Sequence, residues 1–474
     1  MLVCRNPQPT SLWESILPEP YLALPAELAA VDALLDDRVF FAPFAAHFHP
    51  VLGRPSIPME TYLRMMWLKY RYRLSYELVA REVADSISWS RFCRVALGAR
   101  VPHPTTLTKI TTRCGQDTVN ELNDALLAKA HEHKVVKLDR VRADTTVVEA
   151  NVAYPTDSGL LAKAVGRINR LVARVHAAGG ATRTTVRDRR RAAGRRARAI
   201  AAKLKLRNDD AKAAVLRITG ELADLAEVTA ADADRVVANA RRALRRAGGD
   251  ASAKLAGLVE ELDTTIARAR RVAAQTRQRL AGDTPPGATR LVSLHDPDAR
   301  PIAKGRLGKP VEFGYKAQVV DNADGIVVDH TVMVGNPPDA PQLLPAIGRI
   351  IARFGRAPRA VAADRGYGEA KVEDELTELG VKSVAIPRKG KPSAVRRAHE
   401  QRRGFRKLVK WRTGAEGRIS HLKHAYGWDR TGIDGIDGAQ TWCGWGVLTH
   451  NSVKIHRLID ARDERTVAAR GRAP

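Results

Sequence analysis

Hydrophobic residues recur at helical spacing through the first part of the chain. The segment 60–72 (ETYLRMMWLKYRY) predicts an amphipathic helix, because its apolar residues fall on one side. The residues on that inner side are Leu63, Met66, Trp67 and Tyr70. Further short helices are predicted over 76–85 and 89–97, and a longer, capped helix ends near Glu132. Residues 1–133 are therefore predicted to form an all-α N-terminal domain.

Short helices joined by tight turns are typical of a helix-turn-helix domain. The last of these helices begins near Pro104, and its first turns carry Thr105, Thr106 and Lys109. Side chains of this kind at the start of a recognition helix can reach DNA phosphates or base edges. A plain helical bundle fits the same pattern, so both interpretations stay open for this stretch alone.

The pattern changes at 135–152, where Val and Thr dominate and predict a β-strand. Asp144 lies inside this strand. Aspartate is disfavoured in the middle of a strand, so its presence there requires a reason, such as a functional role. Asp139 is a rival candidate in the same strand, and Glu149 follows five residues after Asp144.

Residues 160–289 differ from the rest, being rich in Ala, Arg, Leu and Asp and almost free of aromatic residues. Their apolar residues predict two to four long helices packed as antiparallel hairpins, which form an insertion. The stretch 183–207 is strongly basic and contains Arg189, Arg190 and Arg191 in succession. Such a run is usually a solvated face, but here we predict contact with DNA phosphates.

Strands return after the insertion. Alternating residues predict strands over 311–320 and 326–334, joined by a hairpin turn. The chain continues with a helix over 342–354, a strand that ends on Asp364, a helix over 372–379, a strand over 381–387, a basic helical region over 402–424 and an apolar helix over 442–459. This order predicts an α/β domain. Its two parts are 134–159 and 290–460, and 461–474 is predicted to be a basic flexible tail.

The composition limits the class of partner. With 474 residues, of which 79 are Lys or Arg and 52 are Asp or Glu, the chain has a formal net charge of +27. A protein with such an excess of positive charge usually binds a polyanion, most often nucleic acid. A ribosome-associated or membrane-surface protein would also have this composition. There is no apolar run of about 18 residues and no leader at Met1, so no membrane partner is expected.

The four cysteines are scattered, and none forms a C-x-x-C pair. A zinc site is therefore not expected, and no disulfide framework is indicated. A reducing cytoplasm fits this usage best, and we expect association with the nucleoid.

The basic helical region carries a stripe of three charged residues. Arg412, Glu416 and Lys423 would lie within roughly 40° of one another on a continuous helix, at about 100° per residue. An acid between two cations can be a metal ligand beside phosphate-binding groups. It can equally be a salt-bridged surface, and the stripe alone does not distinguish the two.

Three acids on separate elements suggest a specific chemistry. Asp144, Asp364 and Glu416 carry oxygen ligands of the kind that Mg²⁺ or Mn²⁺ prefers over zinc. Two such ions about 3.5–4 Å apart can activate an attacking oxygen and stabilise a leaving oxygen in phosphodiester chemistry. The chain contains no G-x-x-x-x-G-K-[ST] phosphate loop and no G-x-S-x-G elbow that would indicate another reaction.

At these residues the chain resembles the DDE transposases of bacterial insertion sequences, in the branch with a Y-R-E-K signature around the third acid. Arg412, Glu416 and Lys423 match that signature in type and spacing, whereas Val409 stands at its Tyr position. Asp364-Arg-Gly-Tyr is similar to the second-acid motif, and Asp144-Thr resembles the first. Further similar segments are EANVAYPTDSGLL, FGYKAQ, VGNPPDAPQL and the N-terminal SIPMETYLRMMWLKYRYRLSYELVAREV.

The resemblance implies a ribonuclease H-like catalytic core and an N-terminal domain that recognises terminal inverted repeats. It implies that Asp144, Asp364 and Glu416 bind the metal ions, while Arg412 and Lys423 hold DNA near the cut, and we expect Arg365 to contact DNA as well. Hydrolysis at the ends of the element would expose a 3′-hydroxyl, which then attacks target DNA. Homodimers or larger assemblies on paired ends are expected.

Two alternatives remain open at the level of the sequence. One is a metal-dependent DNA nuclease of the same fold that performs no strand transfer. The other is an inactive or domesticated DNA-binding protein that acts through its basic surface. The intact set of three acids argues against the second alternative, and Val409 argues mildly for it.

Overall fold

The computed structural model describes residues 1–6, 15–206, 208–245, 250–304, 308 and 310–470. The chain divides into two compact units. The first unit comprises Met1–Glu149, Tyr315–Met333 and Pro337–Pro474, and the second unit comprises Ala150–Gly314 and Val334–Asn336. None of the described helices has the length and apolar character that a membrane span requires.

The N-terminal part of the first unit is helical. Its α-helices are α1 (Glu19–Leu22), α2 (Ala26–Leu35), α3 (Met59–Arg71), α4 (Tyr76–Asp85), α5 (Ile87–Phe92) and α6 (Pro104–Glu132), with 3₁₀ turns at Arg38–Phe40 and Ala42–His47. Ser75 and Ser86 cap α4 and α5, because each hydroxyl accepts a backbone N–H of the first turn. Gly115, with φ at 61°, interrupts the long α6. The helices predicted in this region are thus confirmed, with shifted ends.

A mixed sheet forms the centre of the first unit. Its strands are β1 (Val141–Glu149), β3 (Val311–Asn322, from Tyr315 onward), β4 (Val327–Val334, up to Met333), β5 (Ala360–Ala362) and β6 (Ser383–Ala385). Strands β3, β1, β5 and β6 lie side by side in that order, and β4 pairs with β3. Strand β5 is parallel to both β1 and β6. The predicted hairpin of β3 and β4 is confirmed, as is the α/β order of the later elements.

Helices cover this sheet and connect its strands. They are α11 (Ala340–Phe354), α12 (Ala370–Glu378), α13 (Ala394–Gln401), α14 (Arg403–Arg412), α15 (Gly414–Tyr426) and α16 (Gly435–Arg470), and a 3₁₀ turn spans Arg365–Tyr367. The predicted tail from residue 461 lies within α16 up to Arg470, and residues 471–474 lie outside the described part of the chain.

One hydrophobic core joins the N-terminal helices to the sheet and to α16. Its buried members include Trp67 of α3, Val141 of β1 and Trp445 of α16. The indole of Trp67 also donates a hydrogen bond of 2.6 Å to Ser452 Oγ. The region predicted as a separate domain, residues 1–133, thus shares its core with the sheet. The helix-turn-helix assignment stays a prediction.

The second unit consists mainly of four long helices among its described residues: α7 (Asp157–Ala177), α8 (Arg190–Lys203), α9 (Asp209–Leu244) and α10 (Asp250–Leu280). Leucine, valine, isoleucine and alanine side chains of these helices form a core of their own. Strand β2 (Arg300–Ala303) pairs antiparallel with the first residues of β3. The predicted insertion of two to four packed helices corresponds to this bundle.

Candidate active site

Asp144 lies in the middle of β1, and its side chain is only 10% exposed. Strand β1 runs parallel to β5 with Val141 beside Val361 and Arg142 beside Ala362. If this register continues past the end of β5, Asp144 falls beside Asp364. The two aspartates, which are remote in sequence, are therefore brought together at the carboxyl end of β5.

Asp364 follows directly after β5 and begins the 3₁₀ turn. Its Oδ1 accepts a hydrogen bond of 2.8 Å from the backbone N–H of Gly366, which fixes the carboxylate at the end of the strand. Its side chain is partly exposed, unlike that of Asp144. The second acid is thus held by its own turn and open to solvent on one side.

Arg412, the last residue of α14, reaches all three predicted acids. Its Nη2 lies 2.8 Å from Asp144 Oδ2 and 3.6 Å from Asp364 Oδ2, and its Nη1 lies 3.9 Å from Glu416 Oε1. Three carboxylates therefore surround one guanidinium. The excess of negative charge makes this a cation-attracting site.

The basic helical region predicted over 402–424 consists of two helices, so the prediction that Arg412, Glu416 and Lys423 share one continuous helix face is wrong. Helix α14 ends at Arg412, Thr413 forms the junction, and α15 begins at Gly414. A Cβ on Gly414 would collide with Nη1 of Arg142, so a residue without a side chain is needed at this junction. Arg412 and Glu416 still face each other across the junction, and the Glu416 side chain is 76% exposed.

A buried ionic network under the junction was not found from the sequence. Arg142 of β1 donates Nε to Asp321 Oδ1 at 2.8 Å and Nη2 to Oδ2 at 2.9 Å. Its Nη1 donates to the carbonyl oxygen of Trp411 at 2.8 Å. Arg418 of α15 adds a contact of 3.3 Å to Asp321. The network ties β1 and β3 to both helices that carry Arg412 and Glu416.

The sequence held a signal for Arg142. Residues two apart on a strand project to the same face, so Arg142 and Asp144 share one side of β1. An arginine on the buried face of a strand requires an acid. That partner, Asp321, stands at the far end of β3, and only the paired strands show it.

A fourth carboxylate, that of Asp339, lies beside Asp364. A Cβ on Gly366 would be 2.8 Å from Asp364 Oδ1 and 3.0 Å from Asp339 Oδ2, so the glycine allows both carboxylates to approach. Lys316 of β3 lies 2.7 Å from Asp339 Oδ1 and offsets its charge. Both residues belong to segments that carried the family resemblance, FGYKAQ and VGNPPDAPQL.

Burial raises the pKa of Asp144 above its ordinary value, and the nearby Asp364 raises it further, while Arg412 opposes the shift. Burial also raises the pKa of Tyr367, whose hydroxyl accepts a 3.1 Å hydrogen bond from Gln318. The charges of Asp144, Asp364 and Asp339 act on this phenol in the same direction. Tyr367 thus remains neutral, and it is a buried residue next to the site.

The other residues predicted to contact DNA near the cleaved bond are at least partly exposed on the same unit. Arg365 is exposed at the start of the 3₁₀ turn, next to Asp364. Lys423 lies in α15, two turns after Glu416, and is partly exposed.

Val409 packs with Leu408 and Trp411 against the apolar residues of β5 and β6, so its role in the structure is packing.

The residues predicted to recognise DNA lie at the start of α6. Thr105 and Lys109 are exposed and Thr106 is partly exposed. Nδ1 of His103, the residue before the helix, lies 2.8 Å from Thr105 Oγ1. These side chains are accessible to a partner, and their recognition role remains a prediction.

The three arginines predicted to contact phosphates in the second unit differ in their surroundings. Arg189 is largely buried and pairs with Asp232 at 2.6 Å. Arg190 is exposed and paired with Asp188 at 2.7 Å. Arg191 is exposed and has no ion pair among the described residues. Of the three, Arg191 has the charge most available to DNA.

Within the described residues, no group of three or more His, Cys, Asp or Glu side chains is arranged to hold a metal ion. The oxygen-only set of Asp144, Asp364 and Glu416 nevertheless has the chemistry that Mg²⁺ and Mn²⁺ prefer. A divalent cation would also relieve the electrostatic cost of burying Asp144 beside Asp364. The residues therefore fit such an ion in type and charge, once Arg412 gives up part of its contacts.

Two family models match the chain. Residues 19–113 match a model described as transposase domain (DUF772), and residues 282–452 match one described as transposase DDE domain. The second range contains Asp364, Arg412 and Glu416, whereas Asp144 lies outside both ranges. These matches support a DDE-type transposase, an enzyme acting on DNA.

A Rhizobium meliloti protein described as "Uncharacterized protein ORF8 in nfe locus" is 30% identical to this chain over 131 residues. The alignment covers 27% of this chain and 63% of that relative. No solved structure matches the chain.

Proposed function

We propose that this chain, with transposase-domain matches in both its N-terminal and its C-terminal part, cuts the ends of an insertion sequence and joins them to target DNA. One observation carries the proposal. Arg412 contacts Asp144, Asp364 and Glu416, which come from a strand, a turn and a helix and meet around one guanidinium. The mixed sheet behind them is consistent with a ribonuclease H-like core.

Asp144, Asp364 and Glu416 are the proposed ligands of Mg²⁺ or Mn²⁺. When bound, such ions supply activation of the attacking oxygen and stabilisation of the leaving oxygen. Asp144 and Asp364 are held rigidly by a strand and a capped turn, whereas Glu416 is exposed on α15 and free to adjust. This combination suits a site that closes on its substrate.

In the first proposed reaction, the oxygen of a water molecule bonds to the phosphorus at the end of the element. The bond from phosphorus to the 3′-oxygen breaks, and that oxygen takes up a proton to become a free 3′-hydroxyl. In the second reaction this hydroxyl oxygen loses its proton and bonds to a phosphorus of target DNA, while the bond from that phosphorus to the target's 3′-oxygen breaks and the displaced oxygen takes up a proton. Arg412, which contacts the carboxylates, and Lys423, two turns after Glu416 on α15, are the proposed cations that hold the phosphates flanking the reacting bond.

Recognition of the DNA ends is assigned to α6, through Thr105, Thr106 and Lys109. Sequence-independent attraction is supplied by the large basic excess, including Arg191 in the second unit and Arg365 beside Asp364. Two DNA ends must be cut and joined together, so we propose that the chain works as a homodimer or a larger assembly.

The decisive experiment mixes the protein with Mg²⁺ and DNA carrying the terminal repeats, and follows 3′-ends and joined products on sequencing gels. The wild type should produce both cleavage and strand transfer, and Asp364→Asn neither. Asp139→Asn, which alters an exposed acid just before β1, should behave as the wild type. Cleavage by Asp364→Asn at the wild-type rate would refute the proposal, and cleavage without joined products would indicate a nuclease.

A further inference from the structure

The second unit contains a cavity of about 370 Å³ that no step of the proposed reaction uses. Three segments form its walls: the loop 152–156, one side of α7, and the irregular stretch 292–295. Its volume lies within the range of sites that hold small ligands or single nucleotides. The loop belongs to EANVAYPTDSGLL, a motif that the proposed reaction leaves without a role.

One wall of the cavity is cationic. Lys163, Arg167 and Arg170 all line it from the same side of α7, at helical spacing. Arg167 is engaged by Glu261 at 3.1 Å, whereas Lys163 and Arg170 are exposed and have no ion pair among the described residues. None of the described residues that line the cavity is acidic. The two uncommitted charges therefore favour an anionic ligand.

Other residues that line the cavity offer a surface for a planar group. Tyr154 is 80% exposed, although its ring is held edge-on against Phe313 with centroids 5.5 Å apart. Val292 and Leu294 continue the apolar lining. A tyrosine that is braced by a neighbour and still open to solvent can stack on a base.

We propose that this cavity binds a short stretch of single-stranded DNA, with one base stacked on Tyr154 and two phosphates of the strand on Lys163 and Arg170. Along the helix axis the two cations are about 10 Å apart, at 1.5 Å per residue.

The ligand is an unpaired strand, because a base inside a duplex cannot expose its face to a protein ring. Free phosphate or polyphosphate would satisfy the cations but would leave Tyr154 and the apolar wall without a partner. The inference rests on the proposed function only for the origin of the unpaired strand, which DNA cleavage and joining would provide.

Photo-crosslinking tests the site directly. The full chain is irradiated with a short oligothymidine in which 5-iodouracil replaces thymine, and the modified peptide is identified by mass spectrometry. The crosslink is expected on the tryptic peptide 143–163, which contains Tyr154. Tyr154→Phe should keep it and Tyr154→Ala should lower its yield on the order of tenfold. An unmodified 143–163 peptide in the wild type would overturn the proposal.

Salt dependence tests the cations. The double variant Lys163→Ala, Arg170→Ala should lower the slope of log K against log salt for the same oligothymidine by about 1.4, at about 0.7 per phosphate. Lys254→Ala, an exposed lysine of the same unit that does not line the cavity, should change the slope by half of that or less. Equal changes in the two proteins would contradict the assignment.

Two further arms separate this site from others. In the first, excess polyphosphate competes with the oligonucleotide for the wild type and for Tyr154→Ala. If it displaces the oligonucleotide equally well from both proteins, and the variant has lost no affinity for the oligonucleotide, the cavity is a simple phosphate site and the stacking is refuted. Crosslinking of Asp364→Asn should equal that of the wild type. If the wild type fails to cleave DNA but forms the crosslink, the binding site for single-stranded DNA still stands. If the wild type cleaves DNA but forms no crosslink, this binding site is refuted and the proposed function is not.

Discussion

Nη2 of Arg412 lies 2.8 Å from Oδ2 of Asp144, although one residue ends a late helix and the other lies in the first strand. The same nitrogen lies 3.6 Å from Asp364 Oδ2. Nε of Arg412 is buried and has no hydrogen-bond partner among the described residues. The arginine therefore offsets only one of the two negative charges and is not fully hydrogen-bonded itself, so a cation of higher charge can compete for the two aspartates.

The first prediction concerns this competition. Arg412→Met leaves Asp144 buried without its countercharge, so the metal-free protein should lose about 3 kcal/mol of stability. Added Mg²⁺ should then raise the melting temperature of Arg412→Met more than that of the wild type, as measured by thermal denaturation over a Mg²⁺ titration. Lys410→Met, an exposed basic residue on the same helix, should respond as the wild type does. Equal Mg²⁺-induced shifts in all three proteins would show that Arg412 does not compete with the ion.

The second prediction concerns Glu416. Because its side chain is 76% exposed, Glu416→Gln should change stability by less than about 0.5 kcal/mol. The same change should abolish DNA cleavage while leaving DNA binding, as measured by gel assays of both. Glu378→Gln, at the exposed end of α12, provides the control with full cleavage. Normal cleavage by Glu416→Gln would remove this residue from the proposed ligands.

The third prediction tests the junction between α14 and α15. In Gly414→Ala, the new Cβ collides with Arg142, which is held at both ends by Asp321 and Trp411. We expect a loss of about 1–3 kcal/mol in unfolding experiments and reduced cleavage, since Arg412 and Glu416 are displaced.

The matched control is Gly417→Ala, three residues further along the same helix. A Cβ on Gly417 would meet no atom within 4 Å in the part of the chain that the structure describes. Because alanine favours helix over glycine, this variant should gain up to about 1 kcal/mol and keep its activity. Similar behaviour of the two variants would mean that the contact with Arg142 is unimportant.

The fourth prediction concerns acid stability. His450 is fully buried, its Nε2 donates to the carbonyl oxygen of Gly325, and its Nδ1 has no partner among the described residues. Burial lowers the pKa of His450 to about 3, and Arg418, His421 and Lys454 act in the same direction. Between pH 6.5 and 3 the unfolded chain thus binds a proton that the folded chain does not, so stability falls as the pH falls.

Denaturant unfolding at pH 7 and pH 5 measures this effect. The His450 contribution amounts to about 2 kcal/mol of lost stability at pH 5, at about 1.4 kcal/mol per pH unit. His450→Gln should lose less stability between the two pH values than the wild type does. His133→Gln, at an exposed position, should keep the wild-type dependence. An unchanged pH dependence in His450→Gln would locate the acid sensitivity elsewhere.

The fifth prediction separates two neighbouring arginines in the second unit. Arg191→Ala removes an exposed charge, so DNA affinity should fall and the salt slope should decrease by about 0.9 for duplex DNA. Arg189→Ala removes the buried partner of Asp232 and leaves that acid only the exposed Arg235, so stability rather than salt dependence should change. Fluorescence anisotropy over a salt series and thermal unfolding distinguish the two. An Arg191→Ala slope identical to the wild type would exclude a phosphate contact.

The sequence by itself determined the elements and the residue types of the site. Periodicity predicted the helices of the N-terminal part and the hairpin of β3 and β4, because hydrophobic spacing reports local geometry directly. Asp144 stood out as an acid inside a strand and Asp364 as an acid at the end of one. The spacing of Arg412 and Glu416 indicated that their side chains lie near each other, which holds in spite of the helix break.

Only the tertiary structure decided how these elements meet. The parallel register of β1 with β5 brings Asp144 and Asp364 together, and the pairing of Arg142 with Asp321 anchors the junction at Gly414. Each of these contacts joins residues far apart in the chain. Local patterns carry no information on such pairings, since hydrophobic spacing shows which face of an element is buried and not which partner covers it.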